Sequence, residues 1–391
     1  MCAISKFAIC FYVSGHGFGH STRAFAIIHA LLAHAPTCIV HVATPAPLFI
    51  FQELIRQFPA RFIHRQASEF DLSIAQRDPI TVDEDATLAS LASFLEPTRL
   101  EQAIRNEVAW LQAIGPSAVC LDAPFVPLAA AKTLGIPTLV VSNFTFDAIF
   151  LAIARNEPER QLAAQCQRMY EQMDHFLRLP GFIDAPALSS PLTAHKPKLI
   201  DLPLVVRMSR TPREAIRGQL GISNDAKVLL VTFGGFEFGH GSTKDGQLPK
   251  GWVGIVTASG SPGSHADLAA RSLVSIDPKS FWAPDLINAA DVVLGKCGYG
   301  TCSEVVAHHR PFVYVHRTGF AEEEGLIHRL MKKHGWAVEM PQEDFFQGRW
   351  ETYVRQADEM RNEQPPLAID HSGHRTAAKI IEHIGSGWRK N

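Results

Sequence analysis

Short, uninterrupted apolar runs alternate with longer segments of helical periodicity along almost the whole chain. In the first half these runs are FAICFYV (7–13), CIVHVAT (38–44), AVCLD (118–122) and TLVVSNF (138–144). Runs this apolar are typical of strands buried on both faces, and the strand–helix–strand order predicts a parallel sheet covered by helices. The pattern therefore predicts an α/β fold.

The alternation is interrupted once, at residues 180–204, where five prolines break it. It restarts at KVLLVTF (227–233). Because 391 residues are too many for one ordinary domain, we predict two doubly wound, Rossmann-like domains that face a central cleft. The predicted segments are an N-terminal domain over 1–200, a C-terminal domain over 201–370, and a tail over 371–391 whose helix we expect to pack back across the linker. Ligands of such folds bind at the carboxyl ends of the strands.

The charge, the cysteine spacing and the apolar runs of the sequence argue against several classes of protein. With 37 basic and 39 acidic side chains the formal net charge is −2, which argues against a nucleic-acid binder with a broad basic surface. The seven cysteines are irregularly spaced, so we predict reduced, buried thiols and no metal site. The apolar run at 7–13 is too short for a signal sequence, and no stretch reaches the roughly 20 residues of a membrane-spanning helix. We expect a cytoplasmic protein whose oligomeric state the sequence leaves open.

The turn VSGHGFGHSTR (13–23) follows the first predicted strand. Its glycines would let the backbone approach a ligand or turn sharply, and a helix predicted from Ser21 would offer N–H groups at its positive end. The first 52 residues contain no Asp or Glu, and Lys6 and Arg23 are their only fixed cations. No nearby acidic residue in the sequence compensates the positive charge of this turn. We therefore interpret the turn as a site for a phosphate or a sugar hydroxyl. The alternative is that its histidines merely bond to backbone carbonyls. The residues singled out are Gly15, His16, Gly17, Gly19 and His20.

Two further turns follow predicted strands. Asp122 ends the run AVCLD, where its carboxylate would point into the cleft, although capping of the next helix fits the pattern equally well. Gly234 and Gly235 follow KVLLVTF and would let the backbone approach a phosphate, or would simply form a tight turn. Both pairs of alternatives stay open.

The most informative stretch is 291–315. A strand is predicted to end at Lys296, and a Gly-Tyr-Gly turn leads into a helix predicted from Thr301. The N–H groups at such a helix start can hold a diphosphate. Glu304, one turn into the helix, would accept bonds from two ribose hydroxyls or close a capping box with Thr301. Downstream, the acidic residues 322–324 would bond to sugar hydroxyls or complement another helix N-terminus.

In this order, the turns resemble those of the GT-B glycosyltransferases. A closer resemblance is to the glycosyltransferase-like N-terminal region of plant L-arabinokinases. It rests on SGHGFGHSTRA (14–24), SNFTFDAIF (142–150), DLPLVVR (201–207), APDLINAADVVLGKCGYGTCSEVVAHHRPFVYV (283–315), GFAEEEGLIHRLM (319–331) and WAVEMPQEDFFQGRWETYV (336–354). The sequence contains no Gly-Leu-Gly-Ser-Ser ATP loop of a kinase domain, so arabinokinase activity is not implied. The stretch 236–252 departs from the family pattern and leaves the donor contacts there open.

The resemblance implies an acceptor-side N-terminal domain and a C-terminal domain that binds the nucleotide sugar. It implies His20 as the general base and Asp122 as its orienting carboxylate, with Asn143 and Asp147 bordering the acceptor. The implied donor-binding residues are Gly234, Gly235, Gly298, Tyr299, Gly300, Thr301, Glu304 on the ribose, and Glu322 and Glu323 on the sugar.

The function implied is a metal-independent, inverting transfer of a sugar from a nucleoside diphosphate sugar, UDP-linked, to an unknown acceptor. The nucleotide sugar is a co-substrate and no other cofactor is expected. Two alternatives remain: a non-catalytic nucleotide-sugar-binding module, and a nucleotide-sugar epimerase of the same fold.

Overall fold

Two all-parallel sheets, one in each half of the chain, form the framework of the protein in a computed structural model. The structure describes residues 6–78, 80–233, 246–257, 273–277, 279–362 and 365–387. The first sheet has seven strands and the second has six. The α/β fold predicted from the alternating pattern is confirmed.

Each of the four runs predicted in the first half overlaps a strand of the first sheet, and three further strands complete it. The seven strands are β1 (Phe7–Val13), β2 (Cys38–Thr44), β3 (Phe62–Gln66), β6 (Ala118–Asp122), β7 (Thr138–Ser142), β8 (His175–Arg178) and β9 (Lys198–Asp201), and a separate hairpin is formed by β4 (Gln76–Asp78) and β5 (Thr81–Val82). The central strands are buried on both faces because their apolar residues are uninterrupted.

The second sheet repeats the arrangement on a smaller scale. Its strands are β10 (Lys227–Thr232), β11 (Trp252–Thr257), β12 (Leu273–Ile276), β13 (Val292–Lys296), β14 (Phe312–Val315) and β15 (Ala337–Met340). The strand order is β3-β2-β1-β6-β7-β8-β9 in the first sheet and β12-β11-β10-β13-β14-β15 in the second. Each order reverses beside the first strand of its sheet, between β1 and β6 and between β10 and β13. Doubly wound folds bind their ligands at such a reversal.

The helices cover both faces of the sheets. In the first half they are α1 (Phe18–His34), α2 (Gln52–Gln57), α3 (Glu84–Phe94), α4 (Pro97–Ile114), α5 (Val126–Thr133), α6 (Phe146–Ile153), α7 (Glu157–Tyr170) and α8 (Pro186–Ser189), with a short 3-10 turn at Leu48–Phe51. The helical periodicity of residues 83–114 predicts a single helix, whereas the structure forms two, α3 and α4. The break lies before Pro97, which occupies the first turn of α4, where a missing N–H costs least.

The helices of the second half are α9 (Arg213–Gln219), α10 (Ala283–Ala289), α11 (Tyr299–Ala307), α12 (Ala321–Gly325), α13 (Lys332–His334), α14 (Gln342–Phe346), α15 (Glu351–Met360) and α16 (Gly373–Gly387). A π-helical segment, Leu326–Met331, connects α12 to α13. Among the described helices none is both long and apolar enough to cross a membrane.

The last helix returns to the first sheet. Helix α16 packs along α1 and reaches β1 and β6. The backbone leading into it is anchored to the interdomain segment, since Leu204 donates to the carbonyl of Asp370 at 2.8 Å. The domain boundaries at 200 and 370 stay a prediction.

The two halves also meet near the end of α12. A Cβ added to Gly325 would lie 2.5 Å from the carbonyl oxygen of Phe182 and 2.7 Å from that of Gly181. We predict that Gly325→Ala lowers the free energy of unfolding by about 1–3 kcal/mol, because backbone atoms cannot move aside as a flexible side chain can. Urea unfolding followed by circular dichroism measures the change.

Gly218→Ala in α9 is the matched control. Nothing lies within 4 Å of its added Cβ, so the substitution should stabilise the protein by about 0.5–1 kcal/mol. Equal effects of the two substitutions would contradict the close contact at Gly325.

Candidate active site

A cavity of about 450 Å³ lies between the two sheets at the carboxyl ends of their strands. The structure brings many of the predicted residues to its lining. These are His16, Gly17, Gly19, His20, Gly298, Tyr299, Gly300, Thr301, Glu304 and Glu322. Five others lie outside the lining, namely Gly15, Asp122, Asn143, Asp147 and Glu323, and Gly234 and Gly235 lie outside the described residues.

The glycine-rich turns of the two halves face each other in this cavity. A Cβ added to Gly300 would lie 3.6 Å from the Cα of Gly19. Gly17 has φ = +68° at the N-cap of α1, a conformation that disfavours other residues. Helix α1 begins at Phe18 and α11 at Tyr299, so the predicted starts at Ser21 and Thr301 are each two or three residues late. Two helix N-termini therefore meet the cavity, where their unpaired N–H groups suit an anion.

Arg23 organises the side chains behind the first of these turns. Its Nε donates to Asp122 Oδ2 at 2.7 Å and its Nη2 to Asp122 Oδ1 at 2.5 Å. Nη1 donates to Asn143 Oδ1 at 2.5 Å, and Nη2 lies 3.0 Å from the hydroxyl of Ser142. Burial raises the pKa of Asp122, but the charge and hydrogen bonds of Arg23 and His20 outweigh it and hold that pKa below its usual value. The carboxylate is therefore ionised and fixed in place.

These contacts correct the interpretation of the turn as uncompensated. Arg23 is balanced by Asp122, a residue 99 positions away in the sequence. The pairing follows from the register of β1 and β6, in which Val13 lies beside Asp122. The absence of acidic residues from the first 52 positions therefore does not leave the turn without a counter-charge.

His20 lies against the same carboxylate. Its Nδ1 is 2.9 Å from Asp122 Oδ1 and also 2.9 Å from Arg23 Nη2. If Nδ1 carries the proton, it donates to Asp122 and leaves Nε2 as a base. If Nδ1 accepts from Arg23, the proton sits on Nε2 and His20 is a donor instead. The geometry brings His20 and Asp122 together as predicted, while the tautomer decides what the pair can do.

Glu304 lies on the opposite wall of the cavity. Its Oε1 accepts from Arg207 Nε at 2.9 Å and Nη2 at 2.7 Å, and the carboxyl group is buried. Burial raises the pKa of Glu304, and Arg207 partly counters that effect. A capping box with Thr301 is wrong, because α11 begins earlier and its N-cap is Gly298. Contact of Glu304 with a ribose stays a prediction.

The acidic residues of α12 have different surroundings. Glu322 lines the cavity and accepts from Asn143 Nδ2 at 3.0 Å, which joins the two halves. Glu323 accepts from both the backbone N–H and the Nε of Arg317, each at 3.0 Å, and lies 2.8 Å from His316 Nδ1. Glu323 is thus engaged in an ion pair beside the cavity, and only Glu322 reaches the lining.

Lys296 ends β13 at the cavity wall. Burial, together with the nearby charge of Arg317, lowers its pKa well below the ordinary lysine value. An anion in the cavity would reverse this effect, since an opposite charge favours the protonated ammonium.

Two other buried carboxylates belong to the first half. Asp71 Oδ2 accepts from the Ser14 hydroxyl at 3.1 Å and from the Gly15 N–H at 2.8 Å, so it fixes the start of the glycine-rich turn. Asp147 Oδ2 accepts from the Ala187 N–H at 3.2 Å, at the start of α8 and not at the cavity. Burial raises the pKa of each to about 6.

Sequence reasoning missed Asp71, Arg207 and Lys296 as site residues and assigned Arg23 no partner. Arg207 lies in DLPLVVR and Lys296 in GKCGYGT, both stretches that carried the family resemblance, so their position in those motifs was the available signal. Asp71 lies outside the motifs that carried the resemblance, and its partners are 56 and 57 residues away in the sequence. Nothing local in the sequence marks that contact.

Comparison with known proteins relates the chain to glycosyltransferases. It is 33% identical over 385 residues to L-arabinokinase of Arabidopsis thaliana, a match that covers 96% of this chain and 34% of that protein. It is 24% identical over 298 residues to an uncharacterized glycosyltransferase of Methanopyrus kandleri, with 73% of this chain and 80% of that protein covered. The chain thus spans about a third of the length of the L-arabinokinase it matches. No family model matches.

Solved structures agree with the architecture. Medicago truncatula UGT71G1 complexed with UDP-glucose gives a TM-score of 0.60 at 13% identity, covering 98% of this chain and 99% of that one. MurG of Acinetobacter baumannii gives 0.52 at 14% identity, covering 97% and 99%. The calicheamicin glycosyltransferase CalG4 gives 0.58 at 13%, covering 97% and 95%. The chain is a homologue of a region of L-arabinokinase and has the GT-B fold.

The raised pKa of Asp71 predicts a pH-dependent stability difference between the protein and its Asp71→Asn variant. An acid whose pKa is about 6 when folded, against 3.8 in its ordinary state, stabilises the fold only while protonated. Its contribution is lost as the pH rises from about 4 through 6. The unsubstituted protein should lose this contribution between pH 4 and pH 8, whereas Asp71→Asn should not. The difference in unfolding free energy between the two should therefore change by up to about 3 kcal/mol in favour of Asp71→Asn.

Urea unfolding of both proteins at several pH values measures this gain. Asp147→Asn is the variant for comparison. The Asp147 carboxyl has a similarly raised pKa but does not touch the turn, so its substitution should give a similar pH-dependent gain. Parallel stability curves for Asp71→Asn and the unsubstituted protein would contradict the buried carboxyl at the turn.

Proposed function

We propose that this chain transfers a sugar from a UDP-linked nucleotide sugar to an acceptor hydroxyl. The observation that carries the proposal is the position of two groups in one cavity. His20 lines it from the first half, and the N-terminus of α11 lines it from the second. A base and an anion-binding helix terminus on opposite walls suit a reaction in which an acceptor loses a proton while a diphosphate leaves.

The charges of the cavity favour a diphosphate. Four arginines in its described lining form ion pairs with the carboxylates of Asp122, Glu304, Glu323 and Glu53. Arg56, Lys279 and Lys296 line the cavity as well, and a bound anion would favour the protonated form of Lys296. With Glu322 included, these seven basic side chains face five carboxylates, so the lining with an anion bound has an excess of positive charge. Together with the N–H groups from Gly298 to Thr301 this excess would neutralise a leaving diphosphate without a divalent metal.

The identity of the donor is supported by the solved relatives. UGT71G1, which shares the fold over nearly the whole of both chains, was solved with UDP-glucose. We propose the same nucleotide for this chain, with Glu304 on the ribose and Glu322 on the sugar, because both carboxylates line the cavity beyond the helix terminus.

In the proposed reaction His20 Nε2 takes the proton of the acceptor hydroxyl as its oxygen attacks the anomeric carbon. Asp122 accepts from Nδ1, holds the ring, and stabilises the imidazolium that forms. The bond from the anomeric carbon to the diphosphate oxygen breaks on the opposite side, so the sugar configuration inverts. The N–H groups of α11 stabilise the departing charge.

A second candidate function is a non-catalytic nucleotide-sugar-binding module. The contact that favours it is the 2.9 Å approach of Arg23 Nη2 to His20 Nδ1. If Nδ1 accepts a hydrogen bond from Arg23, the N–H proton of the neutral imidazole lies on Nε2. Nε2 then cannot act as a base. The donor site would be unaffected, since it lies on the other wall.

We expect UDP to raise the melting temperature of the protein. Ligand at 100 times its dissociation constant adds about 2.7 kcal/mol of stability by mass action. Differential scanning fluorimetry with UDP, ADP and GDP measures the effect and its base preference. The absence of a shift with every diphosphate at millimolar concentration would exclude the donor site.

We expect His20→Ala to lower turnover by 10²–10⁴-fold, the usual cost of losing a general base, while UDP affinity changes less than about threefold. Asp122→Asn should cost no more than that, and the double variant should equal His20→Ala because the two residues act as a unit. Release of UDP from UDP-sugars measures turnover, and calorimetry measures affinity.

The same assay separates the two candidate functions. A binding module would bind UDP with normal affinity yet release none from any UDP-sugar, with or without His20. Turnover that survives His20→Ala undiminished would contradict the assigned base.

A further inference from the structure

The end of the cavity next to His20 is closed by a segment of the second half. Residues 319–329, here called the closing segment, lie against the first half at several points. Asn143 bonds to Glu322 at 3.0 Å, and Arg329 reaches Asp184 at 3.2 Å. A Cβ added to Gly319 would lie 2.5 Å from Glu84 Oε1. These contacts span the whole segment, so the closure does not depend on one bond.

Phe320 is the part of this segment that enters the first half. It is 6% exposed and belongs to the apolar cluster that includes Tyr12, Phe70 and Phe144 of the first half. Its ring stacks on His16 with the centroids 6.1 Å apart and the planes at 19°. The guanidinium carbon of Arg317 lies 3.9 Å from the centroid of the same ring. The ring is therefore in contact with Arg317 as well as with His16, which it covers.

The opposite end of the cavity is open. There it is lined by Phe49, Glu53, Arg56 and Arg210, and the side chain of Arg210 is 47% exposed. At about 450 Å³ the cavity is at the lower end of the roughly 300–1,000 Å³ that holds a single drug-sized ligand. A nucleotide sugar would fill it from the open end inward. Within the described lining, this would leave an acceptor only the part of the cavity beside His20.

We propose that Phe320 limits the acceptor to a small polar molecule, no larger than one free monosaccharide and with water as the smallest case. This inference rests on the proposed function. Besides Phe320, the described lining includes His16, Lys296 and Glu322, polar side chains that can form hydrogen bonds with a hydroxylated molecule. A flat acceptor of two rings would need the space that Phe320 occupies.

The closure is tested first by chemical labelling, which requires no turnover. Diethyl pyrocarbonate acylates neutral imidazole nitrogens, and mass spectrometry locates the product. With saturating UDP in the open part of the cavity, His16 should react at least tenfold more slowly than His34, whose side chain is 52% exposed. Phe320→Ala should raise the His16 rate at least tenfold.

Phe49→Ala is the matched control, because Phe49 lines the open end and its loss should leave the His16 rate unchanged. Phe320→Leu retains an apolar side chain and should give a rate between the two extremes if the ring itself is the barrier. An equal rate for His16 and His34 in the unsubstituted protein would overturn the closed end, as would a rate that Phe320→Ala does not alter.

The acceptor range is then measured as UDP release and product mass with water, a free pentose and a two-ring phenol. The unsubstituted protein should use water or the pentose and should give no phenol glycoside, whereas Phe320→Ala should gain at least tenfold in the rate with the phenol. Ready glycosylation of the phenol by the unsubstituted protein would overturn the size limit. Failure of UDP to shift the melting temperature would instead refute the proposed function, which keeps the two failures distinct.

Discussion

The buried guanidinium of Arg23 is the interaction on which the site depends. Arginine is expensive to bury unless its donors are paired, and a carboxylate with the right geometry can bind it through two parallel bonds. Asp122 provides those bonds, while Ser142 and Asn143 take up further donors. The guanidinium thus fixes the first turn of α1 to the ends of β6 and β7. The orientation of His20, three residues earlier on the same helix, follows from that attachment.

The same group links the two halves of the protein. Its guanidinium carbon lies 4.9 Å from the centroid of the Tyr299 ring, and the Tyr299 hydroxyl donates to the carbonyl of Val205 at 3.1 Å. Asn143, which Arg23 holds, bonds in turn to Glu322. A fold of this kind serves many functions. What supports a transferase here is the continuous path of contacts from the candidate base to the helix terminus and the acidic residue of the other half.

The parts of this structure that repeat along the chain could be predicted from the sequence. The apolar runs at 7–13 and 118–122 indicated buried parallel strands, and their pairing places Val13 beside Asp122. The family resemblance singled out His20 and Asp122, and the convergence of strand ends at one edge of the sheet made their contact an expectation. The turn at Gly298 was likewise visible as glycines between a strand and a helix.

Contacts between distant side chains could not be predicted in this way. Arg207 and Glu304 are 97 residues apart, and Asn143 and Glu322 are 179 apart. Each pair is set by how the two sheets face each other, a relation that has no local pattern. Glu304 shows the consequence. Its spacing from Thr301 fitted a capping box, yet α11 begins two residues earlier and the carboxylate turns toward Arg207.

The tautomer of His20 decides whether this residue can act as a base. It can be read by nitrogen-15 NMR of the histidine-labelled protein with UDP bound, with His20→Ala used to assign the signal. We expect a proton on Nδ1, donated to Asp122, and an unprotonated Nε2 facing the cavity. A proton on Nε2, with Nδ1 accepting from Arg23, would contradict this expectation and leave the cavity as a binding site without a base.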